Sequence, residues 1–426
     1  MDICIEGGYV YKDGGIIRAD VGVDAGKIRE IGDVGDSERT LNASGSLVLP
    51  GLVNSHTHAS MTLMRGYADD LPLQRWLEEK VWPVEAELTG DDIYHGARLG
   101  ILEMIKSGTT CFNDMYFQMD RVADAVEESG VRARLGVGMI TEGKDEDEVR
   151  QELWDGVEFA EEYHGAADGR IRTTVSPHAP YTCNDWLLEN AADKARELNL
   201  PVHIHLSETE EEVEGVVAQE GMRPTWYLDD RGCFDEDAVL AHCVHLDKEE
   251  IRFLGERDVG VAHCPNANMK LASGVAPVAQ MLDKGVKVGI GTDGPVSNNN
   301  LDMFEEARAA ALLAKVDEMD ASVLPDRQVL DMATYNGAYA LGFNTGRIEV
   351  GRPADIVVVD LDAPHLNPRN DLISHAVYSA KGSDVTDTIV DGEVLMEDRE
   401  VLTMNEDAVV EQASEAAEEL ISRAEN

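Results

Sequence analysis

The sequence predicts an α/β fold, most simply a (β/α)8 barrel, carrying a small β-sandwich formed by the N- and C-terminal segments. Three observations predict it. Four apolar runs of strand length end in residues able to ligate metal or titrate: the runs closing in Asn54-Ser55-His56-Thr57-His58, His205-Leu206-Ser207-Glu208, Ala241-His242 and Gly291-Thr292-Asp293. Each of the last three follows a helix-like stretch and opens into a loop, and such alternation argues for a parallel sheet with crossover helices. Both ends of the chain instead show short alternating strands broken by glycine turns.

Taken in order, residues 1–48 alternate at Ile3 and Ile5, Val10, Val21 and Val23, Ile28 and Ile31, with turns at Gly7-Gly8, Gly14-Gly15 and Asp24-Ala25-Gly26-Lys27. Residues 49–344 supply the barrel. Its strands are expected at 52–58, 109–114, 132–139, 171–176, 202–206, 238–242, 260–263 and 286–293. The apolar run 46–53 reads as one extended strand leading to His56 and His58. Side chains two apart on a strand share a face, so both imidazoles project from the mouth of whatever this strand encloses. Residues 345–400 return to the texture of the N-terminus, and the two ends are expected to pair because neither alone has enough strands to close a core. Residues 401–426 form a terminal helix, with Val409, Val410, Ala413, Ala416, Ala417, Leu420 and Ile421 at helical spacing.

At 426 residues the chain can bury a large core. No apolar run reaches the ~18 residues of a membrane span, and the opening MDICIEGGYV has no basic region followed by an apolar one, which predicts a cytoplasmic protein. The six cysteines show no CxxC spacing and read as reduced, buried residues. Acids outnumber bases 83 to 36, a net charge of −47, yet 43% of residues are hydrophobic, which excludes a disordered acidic chain. Such a surface repels nucleic acid and anionic membranes, leaving a small molecule as partner. It suits high cytoplasmic salt, where a Debye length of ~3 Å or less suppresses self-repulsion.

The stretches PGLVNSHTHASMTLMRGYADDLPLQRWLEEKVWP, HLSET, AHCVHL, AHCPNANMKLASGVAPV and GTDGPVSNNNLDMF together resemble the metal-dependent amidohydrolase superfamily. Within it they are similar to the branch that deaminates 5'-methylthioadenosine and S-adenosylhomocysteine, as in halophilic archaea. The resemblance runs nearly end to end. It implies one divalent ion held by His56, His58, His205 and Asp293. Three imidazoles and a carboxylate favour Zn2+, with Fe2+, Mn2+ or Ni2+ able to occupy the same shell. Binuclear relatives bridge two metals through a lysine on the fourth strand, and Ile171-Arg172-Thr173-Thr174-Val175-Ser176-Pro177-His178 has none.

The rest of the site follows from the same comparison. Glu208, three residues past His205, is expected to hand a proton to a ring nitrogen; the competing reading is a solvent-facing acid in the run Glu210-Glu211-Glu212. His242 would orient or deprotonate the attacking water, and Asp293 would shuttle a proton as well as ligate. Glu85 would accept two ribose hydroxyls, and His178 would contact the purine. Met61, Met64 and Trp82 are candidates to line an apolar pocket. Arg150 is the candidate partner for a homocysteine carboxylate, although 143–149 has no clear register with relatives and Gly136-Val137-Gly138 stands where another arginine can occur. His203 is expected to be packed and hydrogen-bonded, and His245 and His263 structural. Relatives imply a homo-oligomer, dimer or tetramer. Deamination or dechlorination of another N-heterocycle (guanine, cytosine or a triazine) uses the same machinery, and a scaffold without catalysis is the remote alternative.

Overall fold

The computed structural model describes residues 1–71 and 73–425, with the backbone alone at Leu73 and Gln74. The N-terminal strands are β1 (Ile3–Lys12), β2 (Gly15–Asp24), β3 (Lys27–Gly32), β4 (Arg39–Asn42) and β5 (Leu47–Pro50). The next group is β6 (Leu52–Thr57), β7 (Thr109–Tyr116), β8 (Arg132–Met139), β9 (Ile171–Thr173), β10 (Ser176–Pro177), β11 (Val202–Leu206), β12 (Ala238–His242), β13 (Val259–His263) and β14 (Lys287–Ile290). The chain finishes with β15 (Ile356–Val359), β16 (Val385–Val390), β17 (Glu393–Glu397), β18 (Glu400–Val401) and the helix Glu406–Ala424.

Strands β6 to β14 make one sheet in the order β10-β8-β7-β6-β14-β13-β12-β11, with β9 also on β8. Every ladder in it is parallel. A parallel bridge from Val175 to Val202 links the β9–β10 segment to β11 and closes the barrel. Strands enclosed on both faces must be apolar throughout, and β7, β11, β12 and β13 are buried along their whole length. Because all strands run the same way, their C-terminal ends gather at one mouth.

The apolar run 46–53 is not one strand. It divides at Gly51, where a Cβ would lie 2.0 Å from the Thr110 hydroxyl, so only glycine lets the chain pass. Before the break, β5 pairs with β1 and β15; after it, β6 pairs with β7 and β14. The expected boundary between residues 48 and 49 therefore falls inside β5. Both ends do meet, in a mixed sheet of order β18-β17-β16-β15-β5-β1-β2-β3 with β4 on β1. Its own core includes Ile5, Val10, Val21, Ile28, Val48, Ile356 and Ile389. Arg132 of β8 ties that sheet to the barrel through Asp355 and Asp391, each at 2.7 Å.

The terminal helix buries Val409, Ala413, Ala416 and Leu420, a 3–4 residue repeat that packs on the helix Gly90–Lys106. Among the described residues no helix is long and apolar enough to cross a membrane, and all six cysteines are free and buried.

Candidate metal centre and substrate cavity

His56 is the penultimate residue of β6, and His58 lies just beyond the strand. His205 sits near the end of β11, His242 ends β12, and Asp293 follows β14. The donor atoms of His56, His58 and Asp293 lie within 4.8 Å of one another, as do those of His56, His205 and His242. Asp293 Oδ1 is 3.4 Å from both His56 Nε2 and His58 Nε2. The imidazoles of His56 and His205 are 4.9 Å apart between ring centres.

The remaining nitrogens are already committed. His58 Nδ1 donates to the Met115 carbonyl at 2.7 Å, and His205 Nδ1 donates to the His178 carbonyl at 2.8 Å. Both Nε2 atoms are thereby left as lone-pair donors facing the cavity. His56 Nδ1 meets His203 Nε2 at 3.1 Å, so His203 is the packed, hydrogen-bonded residue expected of it. His56 Nε2 is buried with no hydrogen-bond partner.

Electrostatics favour the ligating forms. Burial lowers the pKa of His56 to about 4 and pushes His58 and His205 down as well. Burial opposes ionisation of Asp293, but the His56 contact and the surrounding imidazoles hold it well below the usual carboxylate range. Neutral imidazoles around an ionised carboxylate need no proton displaced before a cation binds. An orphaned buried nitrogen inside such a set fits a divalent ion.

Glu208 is buried, not solvent-facing, whereas Glu210 and Glu211 are exposed. The turn that achieves this is held by Glu212, whose carboxylate accepts the backbone N–H groups of Ser207 and Glu208 at 3.0 and 2.7 Å. Ser207 itself is left-handed, at φ +50°. Glu208 Oε1 accepts from the Ser273 hydroxyl at 3.2 Å, and Oε2 lies 3.8 Å from His242 Nε2. Burial raises the Glu208 pKa. For His242, burial opposes protonation, but the Glu208 and Asp293 carboxylates outweigh it and raise the pKa. Its Nδ1 donates to Asn268 Oδ1 at 2.9 Å, which aims Nε2 at the cavity.

One cavity joins these groups to the substrate candidates. Glu85, His178, Met61 and Trp82 line it, while Met64 is buried in the core. Tyr116 donates its phenol proton to Glu85 at 2.6 Å, and burial pushes the Glu85 pKa up to about 7. His178 pairs with the Thr182 hydroxyl through Nδ1 at 2.9 Å, and burial lowers its pKa to about 3.

Arg150 is the expected residue that the fold does not bring in. It is exposed, stacks 4.6 Å over the Trp186 ring and does not line the cavity. Where an arginine would have to reach in from β8, the walls are Gly138 and Ile140, and the described lining residues include no cation. Sequence reading gave no role to Asn268, Ser273, Glu212, Ser297 or Tyr116. The first two lie inside the quoted motif AHCPNANMKLASGVAPV, which was the available signal. Ser297 donates to Asp293 Oδ2 at 2.6 Å.

A parallel barrel with His-x-His at its first strand, further histidines at the ends of the fifth and sixth, and an aspartate after the eighth is a metal-dependent hydrolase. Residues 47–395 match the model of the amidohydrolase family, and the chain belongs to that family. It is 52% identical to a 5-methylthioadenosine/S-adenosylhomocysteine deaminase of Natronomonas pharaonis, over 99% of this chain and 98% of that one. A 5'-deoxyadenosine deaminase of Methanosarcina acetivorans is 51% identical, with 99% of each chain covered. Among solved structures, an adenosine deaminase from Xanthomonas campestris with bound zinc superposes with a TM-score of 0.94, at 38% identity over 99% of both chains.

Proposed function

We propose that this protein hydrolytically deaminates adenosine derivatives at C6, giving the inosine analogue and ammonia. Candidate substrates are 5'-methylthioadenosine and S-adenosylhomocysteine, with 5'-deoxyadenosine and adenosine behind them. The observation that carries this reading is the pairing of a buried Glu208 beside the His/Asp cluster with Glu85 in the same cavity. Glu208 serves a ring nitrogen; Glu85 is what makes the ring part of a nucleoside.

His56, His58, His205 and Asp293 would hold one divalent ion, Zn2+ by its three borderline imidazole donors and one carboxylate, with Fe2+, Mn2+ or Ni2+ compatible. When bound, the ion supplies the Lewis acidity that makes hydroxide available at neutral pH. Every other task falls to the chain. His242 Nε2 takes a proton from the attacking water, its orientation fixed by Asn268. Glu208, whose pKa burial raises, gives a proton to purine N1 and regains one from the C6 hydroxyl as the carbonyl forms. Asp293, itself ionised, relays the proton taken up by His242 to the departing amine, which leaves as ammonia and returns both groups to their starting forms. Glu85 accepts the ribose hydroxyls, and His178 meets the base.

A cavity end without a cation favours a compact, uncharged 5' substituent over a homocysteine tail. Arg150 could serve that tail only by leaving Trp186. The net charge of −47 and the reduced cysteines suit the cytoplasm of a salt-accumulating cell, and we assign the protein there, as a homo-oligomer. Ammonia release in high salt from 5'-methylthioadenosine, S-adenosylhomocysteine, 5'-deoxyadenosine, adenosine and guanine tests the reading. The highest kcat/KM is expected on an adenosine thioether or 5'-deoxyadenosine; preference for guanine would overturn it.

A further inference from the structure

The opposite end of the barrel carries a second polar cleft, built around an arginine on an otherwise acidic molecule. Arg134 is the third residue of β8 and Arg172 the second of β9, and the two are directly paired across the parallel ladder. Like charges facing each other on adjacent strands are destabilising. Both guanidinium groups nonetheless converge on Gly342, at φ +68°, where a Cβ would meet Arg134 Nη2 at 3.0 Å and Arg172 Nη1 at 3.3 Å. Arg172 donates to the Gly342 carbonyl and stacks 4.9 Å over Phe343.

Arg134 is only 6% exposed, and its Nε has no hydrogen-bond partner. Neither arginine forms an ion pair among the described residues. Arg132, two residues earlier on the same strand, shows the contrast, with Asp355 and Asp391 both at 2.7 Å. Acids outnumber bases by more than two to one in this chain, so a buried guanidinium with no close ion pair, only the longer-range field of Asp237, is a departure from what composition supplies. Burial and the neighbouring Arg172 charge lower the Arg134 pKa to about 10.

The cleft measures about 330 Å³ and is lined by Arg134, Asp237, Asp258, Tyr339, Gly342 and Phe343, among others. Asp258 is engaged by the Tyr339 phenol at 3.3 Å. Asp237 is exposed. Lys287 sits 5.5 Å over the Tyr339 ring, and His164, whose Nδ1 pairs with the Thr173 hydroxyl at 3.0 Å, has its pKa lowered by burial and by both arginines.

We propose that this floor cleft is a binding site for a small inorganic oxyanion, held by Arg134 from the cleft wall with Arg172 beside it at Gly342. Two planar forks suit the geometry of an oxyanion better than that of a halide. Asp237 and Asp258 in the same cleft repel negative charge, which disfavours a highly charged ligand such as a nucleoside triphosphate over a small oxyanion. Its physical effect is to neutralise the repulsion between β8 and β9 at the end of the barrel remote from catalysis.

Isothermal titration of the metal-loaded enzyme with inorganic phosphate, at fixed ionic strength in potassium chloride, tests this. One saturable site per chain is expected, with a matching rise in Tm. Arg134→Met should abolish the site. Arg172→Gln, a milder change at a half-buried position, should weaken it roughly tenfold or more, the loss expected for one charge-assisted contact. Deamination should be unchanged by phosphate and by both variants. Absence of a saturable phosphate heat overturns the proposal, as does an unchanged affinity in both variants. Inhibition by phosphate that persists in both variants would place the anion at the metal centre and overturn it equally.

Discussion

Two buried clusters, the Arg132 network at one end of the barrel and the histidine cluster at the other, hold charge in opposite ways. At the N-terminal end, the Arg132 guanidinium is clasped by Asp355 and Asp391, and the network is closed. At the C-terminal end, His56, His58, His205, His242, Glu208 and Asp293 crowd together with no lysine or arginine among the described lining residues, and His56 Nε2 has no hydrogen-bond partner. A closed buried pair holds two sheets in register but does no chemistry. An open cluster of neutral imidazoles and a carboxylate is instead suited to ligand binding and proton transfer. Substitutions at the two ends should therefore separate activity from stability.

The largest effect is expected from Glu208→Gln, which keeps the shape but removes the titrating proton. It should lower kcat by ~10²–10⁴ while metal content and Tm stay near wild type. Stopped assays and thermal melts on the same preparation check both halves; a parallel loss of Tm would break the distinction. Arg132→Met is the mirror case. Leaving Asp355 buried without its partner should destabilise the fold by about 3–5 kcal/mol in denaturant titrations, with kcat of the folded fraction preserved.

Glu85 sharpens the comparison because it belongs to the open end yet affects stability. Its folded pKa of about 7 lies above the ordinary carboxyl value of 4.5. The neutral buried acid thus contributes stability below pH ~4.5, and this is lost as pH rises through about 7. Wild type minus Glu85→Gln should drift by up to about 3 kcal/mol between pH 4.5 and 8, with the variant relatively more stable at the alkaline end. The same variant should raise KM for nucleosides. A flat difference across that range would contradict the assigned environment. The smallest effect is expected at Asn268→Ala, which frees the His242 ring and should lower kcat by ~10–100-fold, the usual scale for a group that orients an active-site histidine.

Much of this was legible in the sequence. The strand ends could be read because fully buried parallel strands are continuous apolar runs, and His56, His58, His205, His242 and Asp293 stand at or just after those runs. Glu208 needed more than pattern: its run of acids looks solvent-facing, and only the Glu212 carboxylate, turned back onto two backbone N–H groups, explains why it points inward. The split at Gly51 was hidden because apolar character does not reveal which sheet a residue joins. Arg150 was misleading for a different reason. A guanidinium can satisfy itself on a nearby aromatic face, and Trp186 lies far enough along the sequence to be invisible as a partner. The Arg134–Arg172 pair could not be foreseen either, since strand register decides that they face each other.

The central claim is that one cation is gathered by His56, His58, His205 and Asp293. Elemental analysis of purified wild type beside His205→Ala and Asp293→Asn, after dialysis against a weak chelator, tests it most directly. One equivalent of divalent metal per wild-type chain is predicted, with metal and deamination lost together in both variants. Full activity in metal-free wild type, or an undiminished metal content in the two variants, would contradict it.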